Sequence, residues 1–284
     1  ADLGFKIDIF PQKPGFFAAT RNRVSSQISA SKSTFFPRNP VSLRLPQLSH
    51  LKFLFRISIP RGAQSGKIWK TSRRTLMTPL VANYYLTYRC NARCHFCDIW
   101  ALEPGKEADF ETICRNLVDL RRLGVKYVDF TGGEPLLRAD VGEIYTEAKR
   151  MGFTTSMTTN TILYPKRAKE IQGLVDFLNF SLDGPDAESH DHSRGVKIFD
   201  NLVESVKIAK SLGEYPVLNH TVTAQNFHRI GEVGELGQRL GVRVWLNPAF
   251  TAHSNYNSKK NPTPEIVKSI EAAARQYSNV GYNK

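Results

Sequence analysis

Three of the chain's four cysteines, Cys90, Cys94 and Cys97, fall in the run Y-R-C-N-A-R-C-H-F-C-D-I-W, a C-x3-C-x2-C triplet. Three thiolates are one short of a closed structural zinc site, which takes four ligands. They are also one short of the four cysteines that hold an ordinary [4Fe–4S] cluster. Soft, negatively charged sulfur suits iron–sulfur ligation, so ligands this crowded describe a cluster with one iron left open to a group that is not protein. The remaining cysteine, Cys114, lies in an amphipathic helical pattern and reads as core, a poor fourth ligand. A zinc loop completed by His95 is the competing reading, but the second, separated ligand pair that such a site draws on is missing from the sequence.

A second motif, T-G-G-E-P, spans Thr131–Pro135. Gly132 and Gly133 lack side chains, which lets backbone approach a ligand closely. A plain strand-to-helix turn accounts for the glycines and the proline but not for Glu134 between them. Further along stand S-L-D-G at Ser181–Gly184 and Arg194 at the end of H-D-H-S-R. Asp183 doubles as a turn-former before Gly184-Pro185. His190 and His192 flank Asp191 and read as a solvated loop.

Together the cysteine triplet and G-G-E-P resemble the radical S-adenosylmethionine (SAM) superfamily. The resemblance implies a [4Fe–4S] cluster on Cys90, Cys94 and Cys97, with the open iron chelated by the amino and carboxylate groups of SAM. It implies that Gly132, Gly133 and Glu134 meet the methionine amino end of SAM, and that Phe96 packs near adenine. Ser181 and Asp183 correspond to polar groups on the SAM ribose or methionine end. The run S-L-D-G-P…H-D…R-G resembles the branch of molybdenum-cofactor, PQQ and peptide-maturase enzymes, where an Arg in the position of Arg194 pairs with the SAM carboxylate, a bidentate task that suits a guanidinium. Thr159, Asn160 and Asn219 line the adenosine pocket or the substrate cavity on this reading. The implied activity is reductive cleavage of SAM to methionine and a 5′-deoxyadenosyl radical, which attacks a small molecule or peptide. The implied electron source is a low-potential flavodoxin or ferredoxin. The molybdenum-cofactor enzyme's second set of cluster cysteines is missing, since no Cys follows Cys114.

These residues need a scaffold, and the sequence spells one out. Strand-like runs at Asn83–Tyr88, Lys126–Thr131, Thr154–Asn160, Phe177–Asp183, Val217–Thr223 and Val242–Asn247 alternate with helical patterns. Phe110, Ile113, Leu117 and Leu120 share one helical face that ends near Gly124, and Val141–Lys149 stops near Gly152. Further helices are expected at Lys166–Gln172, from Phe199 to Leu212, at Ile230–Leu240 and at Pro264–Gln276. Such alternation implies a parallel sheet with outer helices. Eight units would close a TIM barrel; six match an α/β open partial (β/α)6 TIM-like barrel of the radical SAM type. A doubly wound sheet is the runner-up, but its Gly-rich phosphate loop is not in the sequence. Sites in parallel α/β folds lie at the carboxyl ends of strands, and every candidate residue falls there.

Charge divides the chain in two. Residues 1–80 carry 14 Lys/Arg and two Asp/Glu, and the remainder carries 25 and 24. The net charge of +13 therefore belongs to an irregular basic N-terminal segment, 1–80, and the domain at 81–284 is nearly neutral. That distribution argues against a nucleic-acid substrate for the domain. The segment's Ser-rich, acid-poor composition fits a transit peptide or a basic arm touching RNA. Alternatively, translation starts at Met77, the first Met, and residues 1–76 are not native. The apolar patch Leu51–Ile59 is too short to span a bilayer. Cysteine usage favours a reducing compartment, the cytoplasm by default.

Overall fold

The structure is a computed structural model; it describes residues 7–10 as backbone, together with 79–103, 105–249 and 263–282. Eight strands form one sheet in sequence order: β1 (Ile7–Phe10), β2 (Val81–Thr87), β3 (Tyr127–Gly132), β4 (Thr154–Thr159), β5 (Phe177–Leu182), β6 (Val217–Val222), β7 (Arg243–Pro248) and β8 (Val280–Tyr282). From β2 to β8 every neighbouring pair is parallel, and β1 adds antiparallel to β2 with Ile7 opposite Tyr84. β8 does not return to β1, so the sheet is an open partial barrel.

Side chains on a strand alternate between faces, and here the two faces differ in chemistry. Ala82, Tyr84, Leu86, Val128, Phe130, Met157, Leu178, Phe180, Leu218, Val244 and Leu246 are all buried in the core beneath the helices. The intervening residues, among them Asn83, Asp129, Ser156, Asn179, Asn219 and Asn247, are half-buried on the concave face. A closed barrel would fill that face with branched apolar side chains; here these polar groups are interleaved with aromatic ones such as Tyr85, Tyr127, Phe177 and Trp245.

The helices cover the convex face because their apolar stripes recur at helical spacing. α1 (Phe110–Arg122) buries Ile113, Leu117 and Leu120, and Asp109 caps it by accepting the Thr112 N–H at 2.8 Å. Its buried Asn116 donates to the Tyr84 hydroxyl at 2.7 Å. α2 (Val141–Arg150), α3 (Tyr164–Ile171), α4 (Ala187–Arg194), α5 (Phe199–Ser211), α6 (Ile230–Leu240) and α7 (Pro264–Gln276) complete the layer. Gly241 ends α6 at φ +64°, the left-handed conformation that favours glycine.

Six βα units stand as the sequence spacing predicts, with four departures. β8 is a seventh parallel strand; at three residues it is too short to show an alternation pattern. The stretch expected as a solvated loop around His190 and His192 is α4, and His190 is fully buried. Only a weak apolar stripe marks this helix, because its inward face is polar. The segment 1–80 is not wholly irregular, since Ile7–Phe10 is β1; the rest of it, up to Thr78 and including Leu51–Ile59, lies outside the described residues. Cys114 is half-buried on α1 rather than core.

Removal of residues 1–76 takes away β1 and leaves every parallel strand pair intact. The shortened chain is expected to unfold cooperatively and to remain soluble. Circular dichroism and size-exclusion chromatography check this, and aggregation of the deletion variant would show that covering the β2 edge is required.

Candidate functional site

The cysteine loop leaves β2 through an irregularity. Tyr85 pairs with Thr131 and Thr87 pairs with Gly132, so β2 carries one extra residue against β3. Such a bulge re-aims the strand and often sits beside an active site. Polar groups hold the exit. Arg138 is buried and donates to Leu86 O at 3.2 Å and Ala108 O at 3.0 Å, with Asp140 2.6 Å from its Nη2. Glu107 accepts from the Thr87 hydroxyl and pairs with Arg89 at 2.8 Å.

Gly132 and Gly133 lie against this exit. Gly132 has φ +136°, and a Cβ on it would stand 2.1 Å from Thr87 O; on Gly133 it would stand 2.0 Å from Arg89 O. The Gly133 N–H donates to Thr87 O and the Glu134 N–H to Arg89 O, both at 2.8 Å. The missing side chains therefore admit the chain's own backbone at the root of the cysteine loop.

Glu134 is 1% exposed, and its carboxylate is already engaged. Oε1 accepts from Leu136 N at 3.0 Å and from Thr159 Oγ1 at 2.9 Å, while Oε2 accepts from Asn160 N at 2.7 Å. Glu134 thus ties the end of β3 to the end of β4. Burial pushes its carboxyl up to about 6 against the pull of these hydrogen bonds. Asn160 passes the connection on, donating to Asn91 Oδ1 at 2.7 Å and lying 3.9 Å from Cys90 Sγ. Thr159 and Asn160, expected to line a pocket, are buried linkers in this chain of contacts.

The far side of the loop rests on the end of α4. The last carbonyls of a helix have no partner within it. Arg93 N donates to Arg194 O at 2.9 Å and His95 N to Ser193 O at 3.0 Å, so amides of the cysteine loop satisfy α4. Gly195 follows at φ +65°, where a Cβ would meet Arg93 O at 2.5 Å. Arg194 reaches inward. Its Nη1 is 3.6 Å from Cys94 Sγ, its Nη2 donates to Asp183 Oδ1 at 3.1 Å, and its Cζ lies 5.5 Å from the centre of the Phe96 ring. Nε is 2.7 Å from Asp183 Oδ2, in a direction too bent for a hydrogen bond. The guanidinium that the resemblance assigns to the SAM carboxylate contacts Asp183 and Cys94 here. His190 accepts the Asp183 N–H on Nδ1 at 3.1 Å, and burial pushes its pKa down to about 3, so the ring is neutral.

Cys94 is buried, and Cys90 and Cys97 are half-buried. Burial raises all three thiols above their ordinary range; a thiolate at Cys94 would raise Cys90 and Cys97 further, while Arg194 works against the rise at Cys94. Thiols held near one another in this way favour a cation that takes their protons' place. Trp100 closes the loop, its Nε1–H donating to Cys97 O at 2.7 Å with Cys94 O at 3.3 Å.

Ser181 and Asn219 stand opposite each other on β5 and β6, and the Asn247 amide donates to Asn219 Oδ1. Among the described residues no hydrogen bond joins Ser181 or Asn219 to the cysteine loop; Ser181 lies near the end of β5 and Asn219 within β6. Deeper on the concave face Ser156 donates to Asp129, whose carboxyl burial raises. Sequence reasoning did not single out Thr87, Glu107, Arg138, Asn91, Trp100 or Asp129. Only Trp100, three residues after Cys97, carried a local signal; the others acquire meaning from partners distant in sequence.

The family model of the Radical SAM superfamily matches residues 84–232. The chain belongs to the radical SAM superfamily, whose members bind a [4Fe–4S] cluster and SAM. Among its relatives, a probable GTP 3′,8-cyclase of Saccharolobus solfataricus is 36% identical over 165 residues, 55% of this chain and 52% of the relative. An AdoMet-dependent heme synthase of Nitratidesulfovibrio vulgaris is 32% identical over 165 residues, 56% of this chain and 45% of the relative. The chain therefore spans about half the length of the curated relatives it matches. In fold it resembles Streptococcus suis SuiB bound to S-adenosylmethionine, with a TM-score of 0.61 and 20% identity over 72% of this chain and 50% of that one.

Glu134 makes stability depend on pH. A buried carboxyl whose folded pKa is raised from 4.5 to about 6 favours the protonated form. The stability it contributes is complete below pH 4.5 and is lost as pH rises through 6, a change of about 2 kcal/mol. Urea unfolding of the ligand-free protein across this window is expected to show that loss, and Glu134→Gln to flatten it. Equal slopes for both proteins would remove Glu134 as the cause.

Proposed function

We propose that residues 81–284 form the SAM-cleaving core of a radical enzyme, with Cys90, Cys94 and Cys97 as ligands of a [4Fe–4S] cluster and SAM on its open iron. The observation that supports this most directly is the loop itself. Its three thiols are carried on backbone anchored to β3, β4 and α4, and Cys114 lies apart on α1. No three His, Cys, Asp or Glu side chains among the described residues converge closely enough to hold a single metal ion. When bound, the cluster supplies one electron to the SAM sulfonium, releasing methionine and a 5′-deoxyadenosyl radical.

The chain's own groups divide the remaining work. Gly132, Gly133 and Glu134 hold the loop root and present the β3 end to the amino end of SAM. Ser181 and Asn219, on the concave face, serve the ribose and adenine, with Phe96 beside the adenine. Asp183, Arg194, Thr159 and Asn160 keep the loop in place. The helices and the apolar convex layer keep water from that side of the reaction. An external low-potential flavodoxin or ferredoxin supplies the electron. The substrate, a small molecule or peptide, lies over the concave face. Names of relatives point the same way: a cyclase of GTP, a heme synthase, and SuiB, seen bound to a precursor peptide. Among the described residues no helix is long and apolar enough to cross a membrane.

Anaerobic reconstitution tests the reading. About four iron and four sulfide per chain are expected, with 5′-deoxyadenosine formed from SAM under dithionite. Alanine at Cys90, Cys94 or Cys97 is expected to abolish both, and Cys114→Ala to keep both. One zinc per chain without sulfide would overturn the proposal in favour of a metal-binding module. RNA binding lost on deleting residues 1–76 would point instead to an RNA substrate held by the basic arm.

A further inference from the structure

Arg194 touches the cysteine loop from inside the protein. It is 7% exposed and Asp183 is 1% exposed, so neither charge is balanced by bulk water. One hydrogen bond at 3.1 Å and a second ion-pair contact at 2.7 Å hold the guanidinium against Asp183. Asp183 is in turn fixed on several sides. Its carboxylate accepts from Ser193 Oγ at 3.2 Å, its N–H donates to His190 Nδ1 at 3.1 Å, and its carbonyl accepts from Asn226 Nδ2 at 3.0 Å. Arg194 is therefore aimed by the protein, without help from any ligand, and Nη1 is left facing Cys94 Sγ at 3.6 Å. The ring of Phe96 covers the same guanidinium.

We infer that Arg194, aimed by Asp183, is a positioning residue that sets the electron affinity of the cluster by holding a positive charge and an N–H donor against the Cys94 sulfur. The inference rests on the proposal that Cys94 is a cluster ligand. Hydrogen bonds to cluster sulfurs, nearby charge and burial are what set the reduction potential of such a cluster. Reduction adds one negative charge to the cluster and its thiolates. A cation at Cys94 stabilises that reduced state and so raises the midpoint potential. Asp183, of opposite charge, works against it while holding it in place. The two residues should therefore act with opposite signs: without Arg194 the cluster becomes harder to reduce, and without Asp183 easier.

A role on the SAM carboxylate would behave differently. It would weaken SAM binding and leave the SAM-free midpoint where it was.

The experiment uses the reconstituted full chain without SAM. Iron and sulfide content are measured first, then the midpoint by a redox titration followed by electron paramagnetic resonance, and SAM affinity separately by equilibrium dialysis. Arg194→Gln is expected to shift the midpoint to more negative values and Asp183→Asn to more positive values. Arg194→Lys, which keeps the charge but not the planar fork, is expected to fall between wild type and Arg194→Gln. SAM affinity is expected to change less than threefold in Arg194→Gln. Unmoved midpoints in the variants that hold a cluster overturn the inference, as does a tenfold loss of SAM affinity with an unmoved midpoint. If Arg194→Gln loses its iron, Asp183→Asn and Arg194→Lys decide by the same criterion. Failure of the wild-type chain to assemble any cluster would instead remove the proposal on which the inference rests, and the inference with it.

Discussion

The cysteine loop depends on backbone hydrogen bonds made by residues far from it in sequence. On one side the N–H groups of Gly133 and Glu134 reach the carbonyls of Thr87 and Arg89 at 2.8 Å; on the other, loop amides reach the carbonyls of Ser193 and Arg194 at 3.0 and 2.9 Å. A loop with few apolar side chains cannot hold its shape by burial alone, so these bonds do the holding. They require close approach, and close approach requires glycine at 132, 133 and 195. The β2 bulge, the Glu134 bonds and the cap of α4 all serve this one constraint.

Buried charge is the second organising feature. Glu134, Arg138, Asp183 and Arg194 are each at most 7% exposed, and each is met by hydrogen bonds or by an opposite charge. Removing one partner of such a set leaves the other desolvated and unpaired, which is why these groups come as sets. Glu134 meets the root of the cysteine loop and Arg194 meets Cys94 within it, with Asp183 behind, so the same electrostatics that stabilise the fold also define the surroundings of the thiols. The polar groups of the concave face continue this pattern away from the loop, through Ser181, Asn219, Asn247 and Asp129.

Much of the architecture was legible because its signals are local and periodic. Alternating strands and amphipathic helices follow from spacing alone, and all six βα units stand where that spacing predicts them. The elements that escaped share a cause. β8 has three residues, and the apolar face of α4 is replaced by His190, Asp183 and Arg194 contacts that no periodicity reports. Cys114 reads as core in the sequence, yet its place on α1 leaves it half-buried.

For the site, residue type and spacing alone identified the thiol triplet, the G-G-E-P segment and the strand ends at which both must lie. The chemistry of these groups is intrinsic to them, and their separation in sequence is short. Tertiary structure decided what each polar group faces. It turned Gly132 and Gly133 toward the chain's own backbone, filled the Glu134 carboxylate with bonds from β4, and paired Arg194 with Asp183 beside Cys94. A hydrogen bond or an ion pair between residues such as 94 and 194 depends on how the strands stack and where a helix ends. That arrangement exists only once the whole sheet has formed.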